Sequence, residues 1–189
     1  MNTPYVRGWE GDLVRLVPIS VERHYDNCFR WFNDPEITRW LSIGQYPPVT
    51  EMLEREWFEA RAKDNGRDVV FAIETLEGEH IGQTGIHGVD LVARIANTGS
   101  LIGSREHQGK GYGRDAARIR SRYCFEVIGL RTLLSSTMAS NIRSYKMLTG
   151  AGYEECGRIP ERFYKNGRFE DEILLCLRRE RWEAMQRES

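Results

Sequence analysis

The sequence predicts an α/β fold in which a mixed sheet is flanked by helices. The main observation is the order of patterns along the 189 residues: a strand, two helices, three strands, a helix, a strand, a helix and two strands. The composition agrees, because 40% hydrophobic and 29% charged residues are typical of a globular protein with a sizeable core. No linker, repeat or low-complexity segment interrupts the chain, so we expect one domain over residues 1–189.

The first four elements carry clear local signals. Residues 11–19 are rich in β-branched and apolar side chains and predict a strand. Residues 21–34 place apolar side chains on one helical stripe, with Ser20 as a candidate N-cap. A short helix and an irregular, aromatic-rich loop follow over 35–48, and the next helix covers 50–64.

The remainder of the chain contains most of the predicted sheet. Strands are predicted over residues 69–75, 80–91, 93–103, 131–138, 153–159 and 169–179. Helices are predicted over 111–129 and 141–152, and a charged helix ends the chain. The Asn166-Gly167 pair predicts a turn within the segment FYKNGR, which we expect to join the last two strands.

Charge and cysteine content exclude several classes of function. The formal net charge is −1 and the basic residues are scattered, which argues against a nucleic-acid partner. No apolar stretch approaches the length of a membrane span. Cys28, Cys124, Cys156 and Cys176 stand far apart without a C-x-x-C pair, so we expect neither a metal site nor a redox motif. Free thiols fit a cytoplasmic protein.

Residues 108–113, QGKGYG, lie between a predicted strand and a predicted helix. The glycines allow the backbone to approach a ligand closely, and the helix N-terminus presents unpaired N–H groups. Such a loop binds phosphate or pyrophosphate, although the same residues also fit a flexible strand–helix turn. The loop is not a Walker motif, because Lys110 is followed by Gly111. It also differs from G-x-G-x-x-G, because its third glycine comes one position early.

The loop resembles the pyrophosphate-binding loop of the GNAT family of N-acetyltransferases, with the consensus Gln/Arg-x-x-Gly-x-Gly/Ala. Segments 33–41 and 163–182 resemble the branch that contains ribosomal-protein N-terminal acetyltransferases and polyamine acetyltransferases. The resemblance also covers residues 116–133, Asn141 and the Gly152-Tyr153 pair. It implies the GNAT fold, a mixed, mostly antiparallel sheet in which two central parallel strands splay apart.

The resemblance implies that acetyl-CoA binds where strands 93–103 and 131–138 diverge. An amide of Leu101 or Ile102 would polarise the thioester carbonyl, and no metal is implied. Lys110 and Arg114 either add charge near the phosphates or are solvated surface side chains. The full implied set is Leu101, Ile102, Gly103, Gln108, Gly109, Lys110, Gly111, Tyr112, Gly113, Arg114 and Asn141.

The resemblance also suggests catalytic side chains after the second splayed strand. Asn141 would lie near the pantetheine, although Asn is also a favoured helix N-cap. Many relatives carry a tyrosine acid seven residues later, where this chain has Leu148. Ser144 resembles the serine that is proposed to protonate the thiolate in the ribosomal-protein branch. Tyr145 is the alternative acid, or it packs in the core.

The general base is less clearly indicated. Polyamine-type relatives place a glutamate in the first splayed strand, where this chain has Thr98. His87 could serve as the base because its ordinary pKa is about 6.5, or it could be a structural histidine. Glu74 and Glu161 are further candidates, and a water chain along backbone carbonyls would need no side chain.

The amine acceptor is expected to bind among aromatic side chains. Those residues, Trp40, Tyr46, Phe163 and Tyr164, can stack on an amine or a peptide, or simply belong to the core. Three functions are compatible with the sequence: acetylation of a protein N-terminus, acetylation of a small amine, and non-catalytic acyl-CoA binding. The resemblance also allows a homodimer.

Overall fold

A computed structural model of the chain describes residues 6–42, 47–63 and 67–188. Its strands are β1 (Trp9–Glu10), β2 (Val14–Pro18), β3 (Val69–Thr75), β4 (His80–Asp90), β5 (Ile95–Ile102), β6 (Thr132–Met138), β7 (Glu154–Lys165) and β8 (Arg168–Arg178). Its helices are α1 (Val21–Phe32), α2 (Pro35–Thr38), α3 (Glu51–Lys63), α4 (Tyr112–Tyr123), α5 (Ile142–Gly150) and α6 (Arg179–Glu188).

Within the described residues the strands form one sheet in the order β1-β2-β3-β4-β5-β6-β8-β7. Neighbouring strands are antiparallel, except that β5 and β6 are parallel. The predicted fold class is therefore confirmed: the sheet is mixed, mostly antiparallel and flanked by helices.

Two apolar clusters hold the helices against the sheet. Tyr25, Cys28, Phe32 and Phe58 of α1 and α3 pack together, and Leu101 of β5 contacts this cluster. The larger cluster lies on the opposite face and joins the strands to α4, α5 and α6. Because successive side chains of a strand point to opposite faces, β4 and β5 contribute alternate residues to the two layers. The central strands are thus covered on both sides.

The last hairpin differs from its prediction. The segment FYKNGR is not a connecting loop, because β7 continues to Lys165, which pairs with Arg168. Asn166 and Gly167 alone make the turn, with φ of 52° and 79°, and a tight hairpin turn needs two such residues. The proline at position 160 falls where the register shifts between Ile159 and Phe163.

The remaining differences are one additional strand and the ends of two helices. The short strand β1 was not predicted, and it pairs with β2. Ser20 precedes α1 as expected, but its side chain makes no cap hydrogen bond, and its backbone N–H instead donates to Nδ1 of His24 at 2.9 Å. The long helix predicted over 111–129 divides into α4 and a π-helical turn over Cys124–Ile128, which ends at Gly129 with φ of 76°.

Candidate active site

The parallel strands β5 and β6 diverge after three paired residues, the last pair being Asn97 and Leu134. Both strands continue beyond that point, which creates a fork in the middle of the sheet. Two side chains bridge the closed end of the fork: the Thr98 hydroxyl donates to the Leu134 carbonyl, and the Ser135 hydroxyl donates to the Thr98 carbonyl, both at 2.9 Å. Hydroxyl groups therefore replace the strand hydrogen bonds where the strands part.

The direction of the backbone amides in β5 follows from these contacts. The Thr98 carbonyl faces β6, and amides of successive residues in a strand alternate between its two edges. Ser100 and Ile102 therefore turn their N–H groups toward the fork. Leu101 turns its N–H toward β4, where its register partner is Gln83. Of the two amides predicted to polarise the thioester, only that of Ile102 faces the fork. The amide of Ser100, which was not predicted, also faces it.

The glycine-rich loop lies directly after the open end of β5. Gly109 and Gly111 have φ of 76° and 95°, a region that favours glycine, and Gly111 is the N-cap of α4. The first helical hydrogen bond is donated by Asp115 to the Gly111 carbonyl. In the described structure the backbone N–H groups of residues 109–114 have no acceptor. A cradle of free donors at a helix N-terminus fits the pyrophosphate of acetyl-CoA.

Side-chain contacts connect the loop and the residues just before it to β5, α5 and Asp34. Gln108 donates from Nε2 to the Ile102 carbonyl at 2.9 Å and accepts from Arg143 of α5 at 3.3 Å. Arg105 binds both carboxylate oxygens of Asp34 at 2.8 and 3.1 Å. The predicted phosphate-side residues Lys110, Arg114, Tyr112 and Gly113 follow at the loop and the first turn of α4, with the two cationic side chains exposed to solvent.

The start of α5 combines a cap with possible catalytic groups. Asn141 is the N-cap, and its Oδ1 accepts from the Ser144 backbone N–H at 3.1 Å. Its side-chain amide N–H groups are left for other partners. Ser144 is half-buried, and the Tyr145 hydroxyl is 3.5 Å from a carboxylate oxygen of Glu155. Leu148, which replaces the tyrosine of many relatives, is buried in the large apolar cluster.

His87 lies on the α1–α3 face of β4, beside the fork. Its imidazole covers Gly85, which pairs with Gly99 of β5, and a Cβ at Gly99 would find open space. Burial lowers the pKa of His87, as do the charges of Arg120 and Arg61, whereas Asp68 opposes this change from 3.7 Å. The neutral imidazole that can accept a proton is therefore favoured at neutral pH.

Glu74 is excluded as the base, because its carboxylate is already occupied. It accepts hydrogen bonds from Arg15 and His24, both at 3.0 Å, and forms an ion pair with Arg23 at 3.1 Å. Burial alone would raise the pKa of Glu74, but these partners outweigh it and hold the pKa below its usual value. Glu161 is exposed on β7 with φ of 51° and remains without structural support as a base.

The predicted acceptor residues are distributed over two regions. Trp40 is half-buried just after α2, and Phe163 is half-buried on β7. Tyr164 is exposed and contacts Phe169 across the hairpin. Tyr46 lies outside the described residues. A shared aromatic surface for the acceptor therefore stays a prediction.

Sequence reasoning missed Arg120 of α4, which is fully buried beneath the fork. Arginines also stand at positions 118 and 122, and residue type alone does not distinguish the buried one. The helical period did contain the signal, because position 120 follows Ala116 by four residues and belongs to the same buried stripe. A pattern of apolar residues does not identify this position as buried, because the side chain there is charged.

A family model described as an acetyltransferase (GNAT) domain matches residues 14–154. The chain belongs to the GNAT family of acetyltransferases. It is accordingly an N-acetyltransferase that takes its acetyl group from acetyl-CoA. Among the described residues, no helix is long and apolar enough to cross a membrane, and no three His, Cys, Asp or Glu side chains are grouped as metal ligands.

The GNAT chain is similar to several known proteins. It is 26% identical over 156 residues to the putative ribosomal N-acetyltransferase YdaF of Bacillus subtilis, covering 80% of this chain and 83% of that protein. It is 32% identical over 194 residues to an FsC-acetyl coenzyme A-N(2)-transacetylase of Aspergillus fumigatus, covering 93% and 78%. A crystal structure of spermidine N-acetyltransferase from Vibrio cholerae with CoA and spermine superposes with a TM-score of 0.82 at 20% identity, covering 90% and 98%.

Proposed function

We propose that this enzyme acetylates a primary amine by direct attack, with donor and acceptor bound together at the fork of β5 and β6. The observation that carries the proposal is a set of free amides at the fork and again in residues 109–114 at the start of α4. The pantetheine arm would extend along β5 past Leu101, Ile102 and Gly103. The pyrophosphate would bind the N–H groups from Gly109 to Gly113.

The chemistry then requires three groups. The amide of Ser100 or that of Ile102 would bind the thioester oxygen and stabilise the charge that develops there. His87 would accept the amine proton while nitrogen bonds to the carbonyl carbon and the carbon–sulfur bond breaks. Ser144 would protonate the departing thiolate, with Tyr145 as the alternative. A thiol with a pKa of about 8.5 can also leave without an acid.

The acceptor is either a protein N-terminal amine or a small amine. The similarity to a putative ribosomal N-acetyltransferase supports the first, and the similarity of fold to a spermidine N-acetyltransferase supports the second. We expect the reaction to take place in the cytoplasm, in one domain over residues 1–189, and in a homodimer. A thiol-release assay with N-terminal peptides of ribosomal proteins, spermidine and amino sugars separates the acceptor classes.

Acetyl-CoA binding can be tested with Gly111→Val. An added Cβ there would meet the Leu13 side chain at 3.3 Å, and φ of 95° would cost about 1–2 kcal/mol in any L-residue, so the loop would have to change its shape. The matched control is Gly167→Val, which imposes similar backbone strain at φ of 79° in the remote β7–β8 turn. Calorimetry should detect acetyl-CoA binding in the control and in the natural protein but not in Gly111→Val. Retained affinity in Gly111→Val would disprove the loop assignment.

The alternative is an acyl-CoA-binding module without catalytic activity. The position of Leu148 in the core favours it, because the acid of many relatives is absent there. Binding of acetyl-CoA without thiol release for any amine in the panel would establish this alternative. Turnover with any of them would eliminate it.

A further inference from the structure

Arg120 is a fully buried cation surrounded by neutral oxygens. Its NH1 atom donates to the Thr84 hydroxyl at 2.7 Å, the Ser100 hydroxyl at 2.7 Å and the Gly99 carbonyl at 2.9 Å. Its NH2 atom donates to the Tyr153 hydroxyl at 3.2 Å. Among the described residues, no carboxylate lies within 4.0 Å of this guanidinium.

Burying a charge without a counter-ion is costly, and such groups are common where a reaction needs a shifted environment. An apolar side chain would fill this position on the buried stripe of α4 more cheaply. The arginine is instead held by three hydroxyls and one carbonyl directly under the strand that opens the fork. This placement suggests that its charge serves the reaction.

The contact with the Gly99 carbonyl connects Arg120 to the fork. That carbonyl belongs to the same peptide group as the Ser100 N–H, and in a trans peptide the two point in opposite directions. The carbonyl faces β4, where it also accepts from the Thr84 hydroxyl at 3.0 Å. The Ser100 N–H therefore faces the fork. A charged donor on the carbonyl polarises the peptide and strengthens its N–H as a donor by about 10–30%.

We propose that Arg120 is a positioning residue for acetyl transfer, which polarises the Gly99–Ser100 peptide and so strengthens the Ser100 amide that binds the thioester oxygen. The guanidinium does not touch the substrate. It acts through a peptide group whose orientation is fixed by the Thr84 hydroxyl on one side and the diverging strand on the other. This inference rests on the proposed binding of acetyl-CoA at the fork.

The charge of Arg120 also bears on the proposed base. His87 lies on the opposite face, and the charge of Arg120 is one of the causes that lower the pKa of its imidazole. Burial and Arg61 of α3 act in the same direction, and Asp68 acts against them. One buried cation thus influences both the proposed oxyanion donor and the proposed base.

The test measures the stretching frequency of the thioester carbonyl, which a stronger hydrogen bond from the Ser100 amide would lower. Infrared difference spectra are recorded with acetyl-CoA labelled with carbon-13 at its carbonyl, for the natural protein, Arg120→Gln and Arg120→Met. The exposed Arg118→Met on the same helix is the matched control. Calorimetry and circular dichroism establish binding and folding for each variant.

Binding to the natural protein and to the Arg118 variant should lower the thioester stretching frequency. Arg120→Gln, which can still donate to the Gly99 carbonyl but carries no charge, should lose most of that shift, and kcat should fall about three- to tenfold. Should Arg120→Met fail to fold, the glutamine variant decides the question. An undiminished shift in a folded Arg120→Gln overturns the proposal, as does the absence of any shift in the natural protein.

The outcome is separable from the proposed function. If the natural protein does not bind acetyl-CoA, the proposed function fails. If it binds acetyl-CoA and the charge of Arg120 leaves the carbonyl frequency unchanged, only the inference about Arg120 fails.

Discussion

The side chain of Asp115 connects α4, which begins at the glycine-rich loop, to the start of β2. It lies in the first turn of α4, is 8% exposed, and its Oδ2 accepts from the backbone N–H groups of Leu13 at 2.8 Å and Val14 at 3.0 Å. Hydrogen bonds to a charged group contribute about 1.5–3 kcal/mol each. We therefore expect Asp115→Ala to lower the free energy of unfolding by about 3–6 kcal/mol.

Asp115→Asn distinguishes the charge from the geometry. Its amide oxygen can still accept from both N–H groups, but neutral hydrogen bonds contribute only about 0.5–1.5 kcal/mol each, so the two bonds retain about 1–3 kcal/mol and the expected loss is about 2–3 kcal/mol. Urea unfolding followed by tryptophan fluorescence measures both variants, with the exposed Asp12→Ala as the neighbouring control. A loss below about 1 kcal/mol in Asp115→Ala, or equal losses in both variants, would refute the reasoning.

Three further predictions concern buried groups. In Gly103→Ala the new methyl group overlaps the indole of Trp31, and overpacking of this kind costs about 1–3 kcal/mol in urea unfolding. Burial lowers the pKa of His80 to about 3, so the folded protein keeps the imidazole neutral where the unfolded chain would bind a proton. The free energy of unfolding should therefore decrease as pH falls below about 6.5, by up to about 1.4 kcal/mol per pH unit. His80→Gln should flatten that part of a stability–pH curve. Burial raises the pKa of Glu54 to about 7, so the natural protein loses stability as pH rises from about 4.5 to 7. At pH 8 the Glu54→Gln variant should be more stable than the natural protein by up to about 3 kcal/mol. A difference in stability that does not increase with pH would contradict the raised pKa of Glu54.

Local signals in the sequence were sufficient to predict most of the helices and strands. The strand over 69–75 has the observed bounds, and α1, α3 and α4 begin within one residue of their predicted starts. The glycine-rich loop was correctly placed before α4 because glycine spacing at a helix start is a local property, and its role as an anion site stays a prediction. The Asn166-Gly167 turn was located for the same reason, although the strands around it run further than expected.

Other predictions depended on partners far along the chain. Glu74 was a candidate base until Arg15, Arg23 and His24 were seen to surround it. Leu101 and Ile102 are adjacent and equally plausible in the sequence, and only the pairing of Thr98 with Ser135 decides which amide faces the fork.

The sequence alone thus determined the order of the main elements and the position of the glycine-rich loop at the start of α4. Those properties depend on side-chain period and glycine position within about a dozen residues. The tertiary structure alone decided that Arg120 is buried under the fork and that Asp115 ties α4 to β2. Both outcomes arise from hydrogen bonds between residues 20 to 102 positions apart, and no local pattern specifies which distant donors and acceptors the folded sheet brings together.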